Sequence, residues 1–162
     1  WWCERGKGMP FAVTTETDPQ LLARLREVDG YDVVVVDSPP RLDSAGLQAV
    51  ARASDYVVLP TPPAPLDMAA LIATIRDVIA PTGVAHRVLL TRVDPRSLNE
   101  AMEALGTLGE AGVATFHAVV RAYKAHERAS LHGVAIDAYS GAGGKEAAGD
   151  YRRVVDEVLR DW

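Results

Sequence analysis

Four consecutive valines, Val33 to Val36, lead directly into Asp37, Ser38, Pro39 and Pro40. An unbroken β-branched run of this kind reads as a strand covered on both faces, and the prolines end it at once. Such a strand carries one carboxylate, Asp37, and one hydroxyl, Ser38, to the carboxyl edge of a sheet. A single carboxylate there suits Mg²⁺, which keeps most of its shell as water and phosphate and takes only one or two oxygens from protein. The same stretch equally reads as a turn in which Asp37 caps the chain before the prolines.

A second concentration of chemistry is basic. Arg121, Lys124 and Arg128 lie close together with His126 and His132, relieved by Glu127. Spacings of three, four and seven place the three permanent cations on one helical face, able to grip a phosphate backbone without reading its sequence. Arg152, Arg153 and Arg160 extend that patch. A solvated helix face has the same pattern, and the net charge of −5 favours it. The four histidines, His86, His117, His126 and His132, form no i, i+4 pair, and the lone Cys3 excludes an internal disulfide or a multi-cysteine zinc site.

The elements that must position these groups alternate along the chain. Asp18 followed by Pro19 starts a helix running to Val28, with Leu21, Leu22 and Leu25 at helical spacing and Gly30 beyond its end. After the valine strand, Tyr31 to Val36, the pattern predicts a helix over Ser44 to Ala53, a strand over Tyr56 to Leu59 and a Pro-rich turn from Pro60 to Pro65. It continues with helix Asp67 to Ile79, strand Val88 to Thr91, helix Ser97 to Glu110, strand Ala114 to Val120 and helix Arg121 to Leu131. A short extended piece near Ala135 and Ile136 precedes a final helix ending at Trp162. Regular alternation of this kind predicts an α/β fold, a mostly parallel sheet with helices on both faces. Ligands of such sheets sit beyond the carboxyl ends of the strands, so function is sought at Asp37 to Asp43, Leu59 to Asp67, Thr91 to Ser97 and Val120 to Lys124.

With 162 residues, 48% hydrophobic and 24% charged, the chain reads as one soluble domain over 1–162 that can bury a substantial core. Its pI near 5.3 excludes wholesale polycation behaviour but leaves room for a local basic face. No apolar run is long enough to span a bilayer, and a cytoplasmic protein is expected. The chain begins at Trp1, with its first methionine at Met9, which reads as a fragment or a processed chain.

In order, YDVVVVDSPP, ASDYVVLPTPPAPLDMAAL, VLLTRVD and RAYKAHERASLHGVAI resemble the ParA/MinD group of deviant Walker P-loop ATPases, closest to the small ParA-type partition proteins. The resemblance runs from Trp2 to Trp162. It implies that Asp37 is the Walker B carboxylate that positions Mg²⁺ and its water, and that the segment from Ser38 through Pro39 to Asp43 senses the γ-phosphate of ATP. Ser38 stands where the family commonly has a threonine, so the hydroxyl is kept. Thr91 falls where an asparagine often reads adenine, with Arg92 as a wall of the base pocket. The family's intact members form nucleotide-sandwich homodimers, bind DNA nonspecifically and associate with the nucleoid. A ParB-type centromere-binding partner stimulates them, and together they segregate plasmids or chromosomes. By this resemblance Arg121, Lys124 and Arg128 are the DNA-facing cations.

The family's glycine-rich loop with paired lysines has no counterpart in the sequence. Gly6-Lys7-Gly8 lacks a following Ser or Thr, and Gly143-Gly144-Lys145-Glu146 ends in glutamate where a metal-binding hydroxyl is needed. The expectation is therefore a ParA-like domain without its N-terminal phosphate-binding segment, which does not hydrolyse ATP as it stands. Its valine strand would be left with an unpaired edge that invites association. A MinD-like or cobyrinate-synthase-like ATPase, or a non-enzymatic ParA-like interaction module, is the alternative. The last helix carries arginines balanced by Asp156, Glu157 and Asp161, a neutral polar face that suits packing on the sheet rather than on a membrane.

Overall fold

The computed structural model describes residues 10–16, 18–38 and 44–161. Strands β1 (Tyr56–Thr61) and β2 (Ala85–Leu90) pair in parallel, with Tyr56 opposite Ala85 and Thr61 opposite Leu90. The helices are α1 (Pro19–Leu22), α2 (Ser44–Ala53), α3 (Pro65–Thr74), α4 (Leu98–Glu110), α5 (Lys124–His132) and α6 (Gly144–Asp161). The crossover from β1 to β2 is α3, a π-helical turn over Ile75–Ile79 and a 3-10 turn over Ala80–Thr82. Gly83, with φ of 75°, closes it in the left-handed conformation that a residue without Cβ adopts freely.

Residues 114–122 run beside β2 on its other edge. Parallel bridges join Val88 to Thr115 and Val93 to Arg121. The sheet is thus parallel, and helices cover both of its faces, as alternation implied. The period of two in β2 sends Val88 and Leu90 to one side, where they join Ile75, Val78 and Ile79 with Ala101, Ala104 and Leu108 of α4. Leu89 points the other way, to Phe116, Ala118, Val120 and Val154 of α6. Phe116, Ile79, Leu90 and Leu108 are among the largest fully buried side chains. Burying each is worth about 1.5–3 kcal/mol relative to exposure.

Several boundaries differ from the sequence reading for identifiable reasons. The helix expected over 18–28 is split into α1 and a 3-10 turn over Leu25–Glu27, although Asp18 Oδ1 does accept the Gln20 N–H at 2.8 Å. β1 continues through Pro60 and Thr61 instead of turning at Pro60. Among the described residues β1 is an edge strand, where proline's missing N–H costs no ladder bond. The final helix begins at Gly144 and its buried face includes Ala147, Asp150, Val154 and Glu157. Tyr151, Val155 and Leu159 are exposed.

The valine run departs furthest. Val33 is 56% exposed and Val35 86%, and Tyr31 to Val36 belongs to no sheet among the described residues. Two-sided burial needs a neighbour on each face, and none of the described elements supplies one. The strand expected over Tyr31 to Val36 is therefore absent among the described residues: residues 33–38 follow no regular secondary structure.

The regular strand expected over Ala114 to Val120 is replaced by two isolated bridges, one at Thr115 and one just past its end at Arg121. Val88 O accepts the Phe116 N–H at 2.9 Å and Leu90 O accepts the Val120 N–H at 2.9 Å. Between these points β2 advances by two positions and its neighbour by four, so a two-residue bulge interrupts the ladder.

Candidate functional site

The carboxyl edge is built from the residues that follow β1 and β2. Thr61 is buried, and its carbonyl accepts the Thr91 N–H at 2.8 Å, which holds Thr91 against the end of β1. Arg92 follows with φ of 56°. The left-handed region costs a residue with a Cβ roughly 1–2 kcal/mol, so the surroundings must impose it. They do so through Val93, which is buried, donates to Val120 O at 3.2 Å and accepts from Ala122 N–H at 2.8 Å. Thr91 is half-buried and Arg92 exposed, and both sit where the neighbouring chain at Val120 to Ala122 also ends. No glycine or asparagine marks the position, so nothing in the sequence announced the turn.

Asp37 and Ser38 are exposed. Among the described residues, no hydrogen bond or ion pair joins either of them to Thr91 or Arg92. Pro39 and the rest of the segment to Asp43 lie outside the described residues. The structure therefore brings Thr91, Arg92 and Arg121 to one edge of the sheet, and leaves Asp37 as an exposed hard-oxygen donor with no hydrogen-bond or ion-pair partner among the described residues. An exposed carboxylate with no cationic neighbour among the described residues is compatible with Mg²⁺. The described residues contain no cradle of backbone amides for its phosphates.

Arg121 does not lie on the helix that the sequence reading gave it. The helix starts at Lys124, and Arg121 is the last bridged residue of the 114–122 segment. Its guanidinium faces inward. Asp150, 0% exposed, accepts from Arg121 NH2 at 2.6 Å, from Nε at 3.0 Å and from the Arg121 backbone N–H at 2.9 Å. Arg153 donates to the same carboxylate. The Arg121 guanidinium also stacks 5.0 Å over the Tyr123 ring. The hydrogen bond to Asp150 holds Arg121 still more firmly protonated than an ordinary arginine. The single basic face expected from the spacing is thereby reduced to Lys124 and Arg128. Both are exposed on α5, one helical turn apart.

A second buried carboxylate works on the same strand. Glu157, 6% exposed, accepts the Ala118 N–H at 2.7 Å and the His117 N–H at 2.9 Å, the two amides that the bulge removes from the ladder. Burial pushes its carboxyl up, but those two amides together with the His117 ring 3.5 Å away outweigh it and hold the group below the usual glutamate range. Arg87 lies 3.7 Å from Glu157 and donates to Asp161 at 2.9 Å. Tyr56 also donates to Asp161, at 2.9 Å, and burial together with that bond pushes its hydroxyl up to about 12. A cleft of about 300 Å³ opens between the bulge and α6, lined by His117, Ala118, Val119, Arg153, Asp156, Glu157 and Arg160.

Asp150 and Glu157 are seven positions apart on α6, two turns on one face, so the helix secures the edge strand at two points. Sequence reasoning treated Glu157 as surface charge and passed over Asp150. Their i, i+7 spacing on a stripe with Ala147 and Val154 was the available signal.

No family model matches the chain. It is 58% identical over 163 residues to "Maintenance of carboxysome distribution protein A" of Gloeobacter kilaueensis, a match covering 100% of this chain and 76% of that protein. It is 29% identical over 156 residues to the protein of the same name from Halothiobacillus neapolitanus, covering 93% of this chain and 70% of that one.

Proposed function

The chain belongs to the Maintenance of carboxysome distribution protein A family, and from that premise we propose that it is a ParA-like positioning protein that distributes carboxysomes by MgATP-dependent association with DNA. The identity of 58% along the whole chain supports this reading. It replaces the plasmid or chromosome cargo of the sequence reading with carboxysomes. A carboxysome-bound partner takes the place assigned to a ParB-type protein.

Within that reading Asp37 holds Mg²⁺, Ser38 and the residues after it respond to the γ-phosphate, and Thr91 with Arg92 border the base. The metal supplies charge neutralisation at the phosphates. Thr91 offers a hydroxyl in place of an amide, which supports one hydrogen bond to a base edge rather than a bidentate pair. Lys124 and Arg128 on α5 face the DNA backbone, and self-association accompanies nucleotide binding. No helix among the described residues is long and apolar enough to cross a membrane.

The test is made in the organism. Deleting the gene is expected to collapse evenly spaced carboxysomes, seen by fluorescence of a labelled shell protein, into clusters. Complementation with Asp37→Ala should fail to restore spacing. Even spacing in the deletion strain would overturn the assignment. In vitro, MgATP binding is titrated on this chain and on this chain joined to the part of the Gloeobacter relative outside the match. Binding that survives Asp37→Ala unchanged removes Asp37 from the nucleotide site.

A further inference from the structure

We infer that Asp150 is an internal anion that withholds Arg121 and Arg153 from the phosphate-binding surface, leaving Lys124 and Arg128 as its working cations. The inference rests on the polyanion-binding reading above and deepens it. By sequence alone all these residues are equivalent positive charges on neighbouring elements. The structure divides them.

Asp150 is fully buried and bound by Arg121 through both the backbone N–H and the guanidinium, with Arg153 as a second partner. A buried carboxylate with bidentate guanidinium geometry is among the strongest protein hydrogen-bonding arrangements. Moving Arg121 to an external phosphate would leave the buried charge without its bidentate partner, and moving Arg153 would forfeit the second charge-assisted bond, so a phosphate at the surface competes poorly with both. The Arg121 side chain is 25% exposed and the Arg153 side chain 56%, so Arg153 presents surface while its donor group is engaged by Asp150.

Lys124 and Arg128 are exposed, and among the described residues neither has an ion-pair partner. α5 and α6 are neighbours, joined by the edge contact of His126 with Tyr151 at 5.8 Å between ring centres. The paired and unpaired cations therefore share one region of the surface. Each phosphate contact contributes about 0.9 to the slope of log K against log salt. Removal of a working cation lowers that slope, and removal of a withheld one does not.

The experiment measures binding to a random-sequence DNA duplex, by fluorescence anisotropy across a salt series in the presence of MgATP, of this chain joined to the part of the Gloeobacter relative outside the match. Lys124→Ala and Arg128→Ala are each expected to reduce the slope by about 0.9 and to lower affinity roughly eightfold at 0.1 M salt. Arg153→Ala is expected to leave slope and affinity at wild-type values. Asp150→Asn should free both arginines, steepening the slope by up to about 1.8 and tightening binding at least several-fold. An Arg153→Ala variant weakened as much as Lys124→Ala overturns the inference while leaving the DNA reading intact. A folded Asp150→Asn protein with wild-type slope does the same. Arg153→Ala decides the matter even where Asp150→Asn fails to fold, because Arg121 still satisfies the carboxylate. Absence of DNA binding by every one of these chains overturns the DNA reading itself, and the inference with it.

Discussion

Glu157→Gln is the sharpest probe of how this fold holds its edge. The substitution is nearly isosteric and removes one charge. Wild-type Glu157 accepts two backbone amides, from His117 at 2.9 Å and Ala118 at 2.7 Å. Glutamine has one carbonyl oxygen and one NH₂, so it can accept only one of the two, and the second amide meets a donor. One charge-assisted hydrogen bond, about 1.5–3 kcal/mol, is lost, and one buried N–H is left unsatisfied, about 1–3 kcal/mol. Taken together roughly 3 kcal/mol is expected, which for a chain of this size lowers Tm by about 6–12 °C. The pH dependence gives a second check. The folded-state pKa of Glu157 lies below its unfolded value, so its stabilisation is complete above the unfolded pKa of about 4.3 and disappears as pH falls through the folded one. The gap between wild type and variant should therefore be full at pH 7 and close in strong acid. Urea unfolding followed by far-UV circular dichroism, at pH 7 and in steps below pH 5, measures both. A variant within about 0.5 kcal/mol of wild type at pH 7, against a typical surface substitution, would refute the role given to this carboxylate. So would a gap that persists undiminished in acid.

Tyr56→Phe should remove the bond to Asp161 and cost about 0.5–1.5 kcal/mol at neutral pH by urea unfolding. Because the folded Tyr56 hydroxyl titrates at about 12, above an unfolded tyrosine near 10, its stabilisation is present below about pH 10 and is lost as pH rises toward 12. Ultraviolet titration should show a late phenolate component that the variant lacks. Gly144→Ala places a methyl group against the backbone carbonyl of Tyr139 at the start of α6, so unfolding should show a loss of about 1–3 kcal/mol. Gly106→Ala on α4 meets nothing within 4 Å and should gain about 0.5–1 kcal/mol by the same measurement.

Much of the fold was legible because its signals are local. Asp18 before Pro19, the apolar stripe Ala101, Ala104 and Leu108, and the parallel pairing of two short apolar strands all follow from periodicity and capping. Arg121, by contrast, was assigned to a helix because its spacing to Lys124 and Arg128 fits one. Spacing cannot tell that a bridge to Val93 takes the residue first. Arg92 in a left-handed turn had no signal, since its conformation is imposed by its neighbours rather than by its own preference.

What the sequence determined by itself is therefore the two paired strands with the helices that follow them, the parallel α/β class and the place of Asp37 behind four valines, all consequences of hydrophobic period and chain connectivity. Tertiary structure alone decided which charges are free. Asp150 and Glu157 look like solvated residues on an amphipathic helix until the bulged strand is laid beside them. Then one carboxylate fills a gap in the ladder and the other engages two arginines. Electrostatic partnership depends on distance through space, and those partners lie 29 and 40 positions away along the chain.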